Sequence, residues 1–174
     1  LSGIATKTHH MVQLIRHTSS RLLDTRKTTP GLRVLEKWAV RLGGGHNHHM
    51  GLHDMVMLKD NHIDFAGGIG PAVAQVRQYL REQQKELAIE VETRNIQEVQ
   101  EALAVKVDRI MLDNFDIATT KEAVALIGGH CEVESSGGIT ERTLISFAEC
   151  GVDYISVSAL THHIKGLDMS LKAY

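Results

Sequence analysis

The most constraining feature of this chain is a series of short apolar runs that end in polar residues at steps of 33, 33, 22, 22 and 22 positions. The polar residues are Arg26, Lys59, Glu92, Asn114, Ser136 and Ser158. β-Prone residues precede them, and apolar residues at helical spacing follow. Parallel strands in such repeats end at one edge of the sheet, where α/β proteins bind their ligands. The pattern predicts an α/β fold whose strand ends form an active site.

The length of 174 residues limits how far this sheet can close. A closed eight-stranded barrel usually needs at least about 200 residues. We therefore expect one helix and then six strand-helix units, which form an incomplete, open TIM-like β/α barrel as a single domain over residues 1–174. A leucine-rich solenoid is the alternative, but its Leu-x-x-Leu-x-Leu spacing is missing. Residues 109–112 and 154–157 read as nearly continuous apolar runs, typical of strands whose two faces are covered by helices or that surround a filled barrel interior, and they favour a parallel sheet.

The charge and cysteine content exclude several functional classes. The chain has 19 basic and 21 acidic residues, so no global field draws it to nucleic acid or anionic lipid. No apolar run has the length of a membrane span. Cys131 and Cys150 lack metal-site spacing and predict buried, reduced thiols in the cytoplasm. The first residues read as a helix entry, so we expect a fragment of a longer chain.

Cationic side chains follow the first and second predicted strands. Arg26 and Lys27 precede a predicted helix with Thr29 as N-cap and Pro30 as first residue. Two cations beside a helix start suit a carboxylate or phosphate group, and a solvated pair in a loop is the alternative. Lys59 could pair with an anion or form a Schiff base. We favour the ionic role, because a Schiff base needs a lowered lysine pKa.

The chain contains 11 histidines, and five of them lie within 17 positions just after the glycine run 43–45. They are His46, His48, His49, His53 and His62. A zinc site is one interpretation, but neither a His-Glu-x-x-His motif nor paired cysteines accompany them. The glycines favour a loop whose backbone comes close to a ligand, and a flexible linker with surface histidines is the alternative.

Carboxylates occur at two consecutive strand ends, as Glu90 with Glu92 and as Asp113 followed by Asn114. Oxygen ligands of this kind suit Mg²⁺ or the hydroxyl groups of a sugar. The alternative is that these acids form ion pairs with the basic side chains at the neighbouring strand ends. Charge pairing alone does not separate the two interpretations.

A phosphate-binding loop is predicted at Ser136, Gly137 and Gly138. Glycines allow the backbone to approach a ligand, and successive N–H groups with a serine hydroxyl form a nest for an anion. The next unit also ends in small polar residues from Ser158, as in barrels whose phosphate site follows the last two strands. A plain glycine-serine turn is the alternative.

Seven short motifs, in this order and spacing, give the chain a highly specific resemblance to a known family. They are residues 24–31 (DTRKTTPG), 43–48 (GGGHNH), 59–62 (KDNH), 90–92 (EVE), 112–115 (LDNF), 134–138 (ESSGG) and 159–162 (ALTH). Over its whole length the chain resembles the C-terminal domain of quinolinate phosphoribosyltransferases. The resemblance implies a reaction that joins quinolinate to 5-phosphoribosyl-1-pyrophosphate and releases pyrophosphate and CO2, giving nicotinate mononucleotide for NAD biosynthesis. Family members also carry an N-terminal α/β domain, which we expect to be absent from this chain.

The resemblance also implies roles for particular residues. The two quinolinate carboxylates would bind Arg26, Lys27, His48, His49 and Lys59. Phosphoribosyl pyrophosphate would bind Glu92, Asp113, Ser136, Gly137, Gly138, Ser158 and His162. The catalytic residues would be Lys27, Lys59, Glu92 and Asp113, of which Glu92 and Asp113 would hold Mg²⁺.

Two positions depart from the family pattern, since His49 stands where arginine is usual and Ser158 where glycine is usual. Imidazole offers fewer hydrogen-bond donors than guanidinium and is only partly charged near neutral pH. The resemblance implies a homodimer or higher homo-oligomer for the complete protein, in which the N-terminal domain helps to close the partner's site. The alternatives are an inactive fragment or degenerate homologue that binds phosphorylated ligands, and a paralogue that uses another aromatic acid.

Overall fold

The computed structural model describes residues 1–50, 54–162 and 170–173. The helices in these ranges are α1 (Ser2–Ile15), α2 (Arg33–Leu42), α3 (Asp60–Ala66), α4 (Ile69–Glu82), α5 (Ile96–Ala104), α6 (Ile117–Ile127) and α7 (Glu141–Ala148). The strands are β1 (Arg21–Leu23), β2 (Val56–Leu58), β3 (Ile89–Thr93), β4 (Arg109–Asp113), β5 (Glu132–Ser136) and β6 (Tyr154–Ser156). A short 3₁₀ helix, Ser158–Leu160, follows β6. The predicted order of one helix and then strand-helix units is confirmed as far as β6, and the helix predicted for the sixth unit lies outside the described residues.

All six strands are parallel and form one sheet in the order β1-β6-β5-β4-β3-β2. The edge strands β1 and β2 are not joined by a ladder within the described ranges. On the other side of β1, His46, the first of the clustered histidines, forms an isolated parallel bridge with Leu23. The predicted open β/α barrel of six parallel strands is therefore confirmed.

The sheet has one apolar and one polar face. The apolar face packs against the helices and contributes to the hydrophobic core; its residues include Leu22, Leu58, Val91, Ile110, Leu112, Val133 and Ile155. Alternate residues point into the barrel, where Arg109 lies opposite Glu90 on one neighbouring strand and Glu132 on the other. The parallel sheet that the nearly continuous apolar runs at 109–112 and 154–157 predicted is confirmed, and residues 109–112 are all buried. Polar side chains nevertheless alternate with apolar ones along these strands, because the barrel interior is polar.

The unequal repeat lengths have a structural cause. Two helices, α3 and α4, fill the 33-residue step from Lys59 to Glu92, whereas one helix fills each later 22-residue step up to Ser158. The backbone of Gly67 is left-handed, with φ +84°, and ends α3, after which Gly68 precedes α4. The repeat predicts one helix per unit, so the division into α3 and α4 is an addition from the structure.

Helix α2 begins later than predicted. The predicted N-cap at Thr29 is wrong, because α2 starts at Arg33 with Leu32 as N-cap. The Leu32 N–H donates to the Thr29 carbonyl at 3.0 Å, and Gly31 has a left-handed backbone, with φ +78°. These features form a turn in place of the first helical turn. The turn leaves Arg26 and Lys27 on a separate loop before the helix.

The remaining sequence predictions concern membranes and cysteines. No helix in the described ranges combines the length and hydropathy needed to cross a membrane. Both cysteines are free thiols, as predicted, but only Cys150 is buried, since Cys131 is half-buried. Burial raises the pKa of both thiols, with nearby acids adding to the effect at Cys131. Both therefore remain protonated near neutral pH.

Candidate active site

A cavity of about 500 Å³ opens at the carboxyl ends of the strands. Among the predicted site residues that line it are Arg26, Lys27, His48, His49, Lys59, Glu92, Asp113, Ser136, Gly137, Gly138 and Ser158. His162 does not line it; its Nε2 lies 2.8 Å from the Ser158 Oγ, so it contacts the cavity wall from outside. The predicted convergence of the strand ends is confirmed. The individual roles of these residues stay predictions.

The cavity also contains residues that the sequence reasoning did not select. These are Thr25, Met57, Met111, Glu134, Ile139, Ser156 and Val157, whereas Asn114, which also lines the cavity, was predicted at a strand end. Several of them lie two residues before a predicted site residue on the same strand, as Met57 does before Lys59 and Met111 before Asp113. The alternation of side chains along a strand is the signal that could have identified them.

The loop that carries Arg26 and Lys27 is held at its backbone. The Arg33 guanidinium donates to the Arg26 carbonyl and to the Thr28 hydroxyl, both at 3.1 Å. The Thr161 hydroxyl donates to the Lys27 carbonyl at 2.7 Å. Within the described ranges, neither Arg26 nor Lys27 has an ion-pair partner. Their charges are therefore available to an anion in the cavity.

Lys59 and Glu92 form an ion pair across neighbouring strands. Lys59 follows β2, and the register of Leu58 with Val91 places it beside Glu92 on β3. The Lys59 ammonium donates to the Glu92 carboxylate. The ion-pair interpretation is thus confirmed for this acid. Asp113 instead accepts from the Asn114 side chain at 2.8 Å and has no cationic partner in the described ranges.

A buried layer of charges lies beneath the cavity. The His48 Nε2 is 3.1 Å from a Glu134 carboxylate oxygen and 3.5 Å from one of Glu90. Arg109 approaches Glu134 at 3.4 Å. Burial alone lowers the pKa of His48, but Glu134 and Glu90 outweigh it and raise the pKa to about 9. The two carboxylates therefore favour the charged form of His48, but its Nδ1, which accepts the His49 backbone N–H at 2.9 Å, can take a second proton only by giving up that bond.

His49 joins the same layer beside His48, with 4.3 Å between the two ring centroids. Its Nε2 is 3.3 Å from Glu90, and its Nδ1 is 3.5 Å from Asp54. The side chain of His49 is buried, with only 6% of its surface exposed. Two carboxylates therefore fix the direction of this ring at the cavity wall.

His48, His49 and Glu90 are close enough to one another to suggest a metal site. The protonation of His48 argues against that interpretation. Its Nδ1 accepts the His49 backbone N–H at 2.9 Å, so the neutral ring carries its proton on Nε2. The charged ring also carries a proton there, so neither form offers Nε2 to a metal. The cluster fits an ion-pair network better than zinc, whereas His53 lies outside the described residues.

The glycine run approaches a helix rather than a ligand. A Cβ at Gly43 would lie 2.5 Å from the Ala5 carbonyl oxygen, and one at Gly45 would lie 2.7 Å from the Thr8 side chain. None of the three glycines lines the cavity. The prediction that they allow close approach to a ligand is wrong, because they let the loop pass against α1.

The predicted phosphate loop is a tight turn between β5 and α7. Gly137 and Gly138 have left-handed backbones, with φ +89° and +60°. A Cβ at Gly137 would collide with the Asn114 side chain. The backbone N–H of Asn114 also donates to the Ser136 carbonyl at 2.9 Å. The turn therefore requires glycine at residue 137 for both its backbone conformation and its contact with Asn114.

Replacing Gly137 by alanine is expected to displace this turn and to lower the free energy of unfolding by about 1–3 kcal/mol, because the strain and the contact add. Urea unfolding measures the change. Gly138→Ala is the matched control, since its φ is +60° but nothing lies within 4 Å of its Cβ position. Equal losses in the two variants would contradict the proposed contact with Asn114.

Comparisons with known proteins agree with this arrangement. The family model described as "Quinolinate phosphoribosyl transferase, C-terminal domain" matches residues 4–172. A Nicotiana tabacum protein named quinolinate phosphoribosyltransferase [decarboxylating] 2b, mitochondrial, is 48% identical over 99% of this chain and 53% of its own length. A Synechocystis protein named probable nicotinate-nucleotide pyrophosphorylase [carboxylating] is 52% identical over 99% of this chain and 58% of its own. The solved nicotinate-nucleotide pyrophosphorylase from Francisella tularensis superposes with a TM-score of 0.89 at 44% identity, covering 94% of this chain and 57% of that one.

The fold and cavity define a β/α-barrel domain whose binding site combines cations, carboxylates and a glycine turn at the carboxyl ends of its strands. The chain spans about half the length of the curated relatives it matches, 53% of the tobacco protein. It belongs to the quinolinate phosphoribosyltransferase family, and it corresponds to the C-terminal domain.

Proposed function

We propose that the protein containing this chain transfers the phosphoribosyl group of phosphoribosyl pyrophosphate to quinolinate and decarboxylates the product to nicotinate mononucleotide. The observation that supports this most is the division of one cavity into three kinds of surface. Arg26 and Lys27, which have no ion-pair partner among the described residues, line it with Glu92, Asp113 and the glycine turn at Gly137. The names of the relatives point to the same reaction.

Binding of quinolinate requires cations for two adjacent carboxylates. Arg26 and Lys27 provide charges that no acid in the described ranges neutralises, and His48 adds a buried imidazole whose pKa is raised to about 9 by Glu134 and Glu90. Lys59 can exchange its bond to Glu92 for one to the substrate. A buried, hydrogen-bonded cation interacts strongly with a carboxylate, because little water screens the pair.

The carboxylates suit the sugar and a magnesium ion. Glu92 and Asp113 line the same cavity on neighbouring strands, and carboxylate oxygens are the ligands that Mg²⁺ prefers. They would hold the ion, which neutralises charge on the leaving pyrophosphate when it is bound. Glu92 and Asp113 also stabilise positive charge on the ribose as the glycosidic bond forms to the quinolinate nitrogen. Ser136, Gly137 and Gly138 accept the 5-phosphate, with Ser158 and His162 beside them.

Decarboxylation then follows from the charge of the product ring. The quaternised nitrogen stabilises the carbanion left at the adjacent carbon when CO2 departs, and that carbon then takes up a proton. The protein has only to orient the carboxylate and exclude water from it. His48 and Lys59 both line the cavity and are the side chains that we propose orient the two carboxylates.

The proposal extends to the complete protein. We propose that residues 1–174 form the barrel domain of a two-domain chain that works as a homodimer or higher homo-oligomer in the cytoplasm. The reduced thiols support a reducing compartment, although the tobacco relative is named mitochondrial. Light scattering of the purified full chain measures the assembly, and a monomer at working concentration would contradict that part.

Product formation tests the function directly. The full chain, mixed with quinolinate, phosphoribosyl pyrophosphate and Mg²⁺, is expected to release nicotinate mononucleotide and CO2, measured by chromatography. Binding without product would favour a degenerate homologue. Competition with nicotinate addresses the aromatic-acid alternative, because a site built for two carboxylates prefers quinolinate. Equal or tighter binding of nicotinate would contradict the assignment of substrate.

A further inference from the structure

Asp24 belongs to the first motif, yet it does not line the cavity. It follows β1 and is completely buried. One carboxylate oxygen accepts the Lys37 ammonium at 2.6 Å and the His48 backbone N–H at 2.8 Å. The other accepts the Asn47 side-chain amide at 2.6 Å. Three donors from two different elements therefore converge on one carboxylate.

Helix α2 supplies the cation of this cluster and also holds the other cationic loop. Lys37 is fully buried, with no exposed surface. One residue earlier, Glu36 accepts the Thr29 backbone N–H at 3.0 Å. Arg33 donates to the Arg26 carbonyl at 3.1 Å. The charged side chains of one helix thus anchor the loops on both sides of the cavity.

The energetics of burial indicate that this cluster serves more than stability. Transferring a carboxylate and an ammonium out of water costs several kcal/mol each, and well-packed apolar residues of similar volume are often as stabilising. A hydrogen-bonded carboxylate instead specifies direction, because it accepts only along its lone pairs. Here it determines where the His48 backbone lies relative to β1.

We propose that Asp24 is a positioning residue for substrate binding, which acts by holding His48 and Asn47 against β1 while Lys37 balances its charge. This inference rests on the proposed function, since it assigns a role in the same site. Asp24 touches no substrate in this arrangement. Its effect reaches the cavity through the backbone N–H of His48.

Asp24→Asn tests the geometry with almost no change in size. An amide has one acceptor oxygen, so at least one of the three converging donors must face its NH₂ group. The loop that carries His48 is expected to shift, and the KM for quinolinate to rise at least about 10-fold with a smaller change in kcat, because small displacements of binding groups lower affinity steeply. An unchanged KM would overturn the proposal.

The double variant Asp24→Asn with Lys37→Met separates positioning from charge balance. It removes both buried charges, so its thermal stability is expected to recover relative to Asp24→Asn, while the KM stays raised. Recovery of the KM as well would show that Asp24 only balances Lys37, and would overturn the proposal. Asp153→Asn is the matched control, since Asp153 accepts the Val133 N–H at 2.8 Å at the opposite end of the strands. Its KM is expected to match that of the unmodified protein.

NMR of the substrate-free chain gives a readout that does not depend on turnover. The ¹⁵N resonances of the His48 ring report its protonation and its contacts with Glu134 and Glu90. Both Asp24 variants are expected to move these resonances and to lower the pKa of His48 toward 6.5. The control Asp153→Asn is expected to leave the resonances and the pKa of His48 unchanged. Unchanged His48 resonances would contradict the positioning role even if the protein proved to use another substrate.

Discussion

Replacing Lys59 by methionine is expected to lower kcat/KM for quinolinate at least about 100-fold. The substitution keeps the length of the side chain but removes its charge from the cavity and leaves the Glu92 carboxylate without its cation. Removing one partner of a hydrogen-bonded charge pair costs about 2–5 kcal/mol at a binding site, and a loss of 100-fold corresponds to about 3 kcal/mol. Steady-state kinetics of the full chain measure the effect.

Lys85→Met provides the control for this experiment. Lys85 is exposed and precedes β3, at the end of the barrel opposite the cavity. Its kinetics are expected to match those of the unmodified protein. A loss of less than about 5-fold in Lys59→Met would remove Lys59 from the site, because a cation in contact with a substrate carboxylate contributes more than that.

Replacing Glu90 by glutamine is expected to lower the free energy of unfolding by about 3 kcal/mol. Glu90 is fully buried beside His48 and His49, with Arg109 on the facing strand. Removing one partner of a buried charge network leaves the others uncompensated and typically destabilises by about 3–5 kcal/mol. Urea unfolding at neutral pH measures the loss.

Glu122→Gln is the matched control for Glu90→Gln. Glu122 is exposed on α6, so its replacement is expected to change the free energy of unfolding by less than about 0.5 kcal/mol. If Glu90→Gln were as mild as this control, the buried layer would carry no net stabilisation. The apolar face would then account for the stability of the barrel alone.

The same layer predicts how stability depends on pH. Burial opposes ionisation of Glu90, but its bonds to His48 and His49 hold its pKa below the ordinary 4.5. Its contribution is therefore present above pH 4.5 and lost as the pH falls further. The pKa of His48 is raised from 6.5 to about 9, so its contribution is complete below pH 6.5 and is lost as the pH rises through 9.

We therefore expect the free energy of unfolding to be greatest between pH 4.5 and 6.5 with respect to these two groups. Glu90→Gln is expected to flatten the alkaline decline, because it lowers the pKa of His48. Urea unfolding from below pH 4.5 to above pH 9 measures both the acid decline and the alkaline decline in the free energy of unfolding. An alkaline decline that Glu90→Gln leaves unchanged would contradict the coupling of Glu90 and His48.

The positions of the strands were predictable, because short β-prone runs recur and each run ends in a polar residue. The start of α2 was not, since it depends on the left-handed backbone of Gly31, which the sequence permits but does not require. The polar interior was also missed. Arg109 and Glu134 lie far apart in the sequence, and it is strand pairing that brings them onto one face.

The site residues that lie at strand ends were predictable from the motifs, but the cavity residues that lie further back along the strands were not. In the ladder, Glu92 lies opposite Met111, and Asp113 lies opposite Ser136. A constant 22-residue step does not reveal this stagger between strands. Met111 and Glu134 were therefore missed, although side-chain alternation places them on the same strand face as Asp113 and Ser136. The function of Asp24 was hidden for another reason, because an acid beside Arg26 reads as exposed until the structure buries it.

The two-sided sheet has a consequence for how such a protein can change over time. Nearly all the apolar packing lies between the sheet and the helices, whereas the groups that contact a ligand project from the other side of the same strands. A substitution such as histidine at residue 49 can therefore alter ligand preference without creating a void in the core. Lineages with this architecture can explore new ligands while the scaffold stays intact, provided that the buried charges remain balanced.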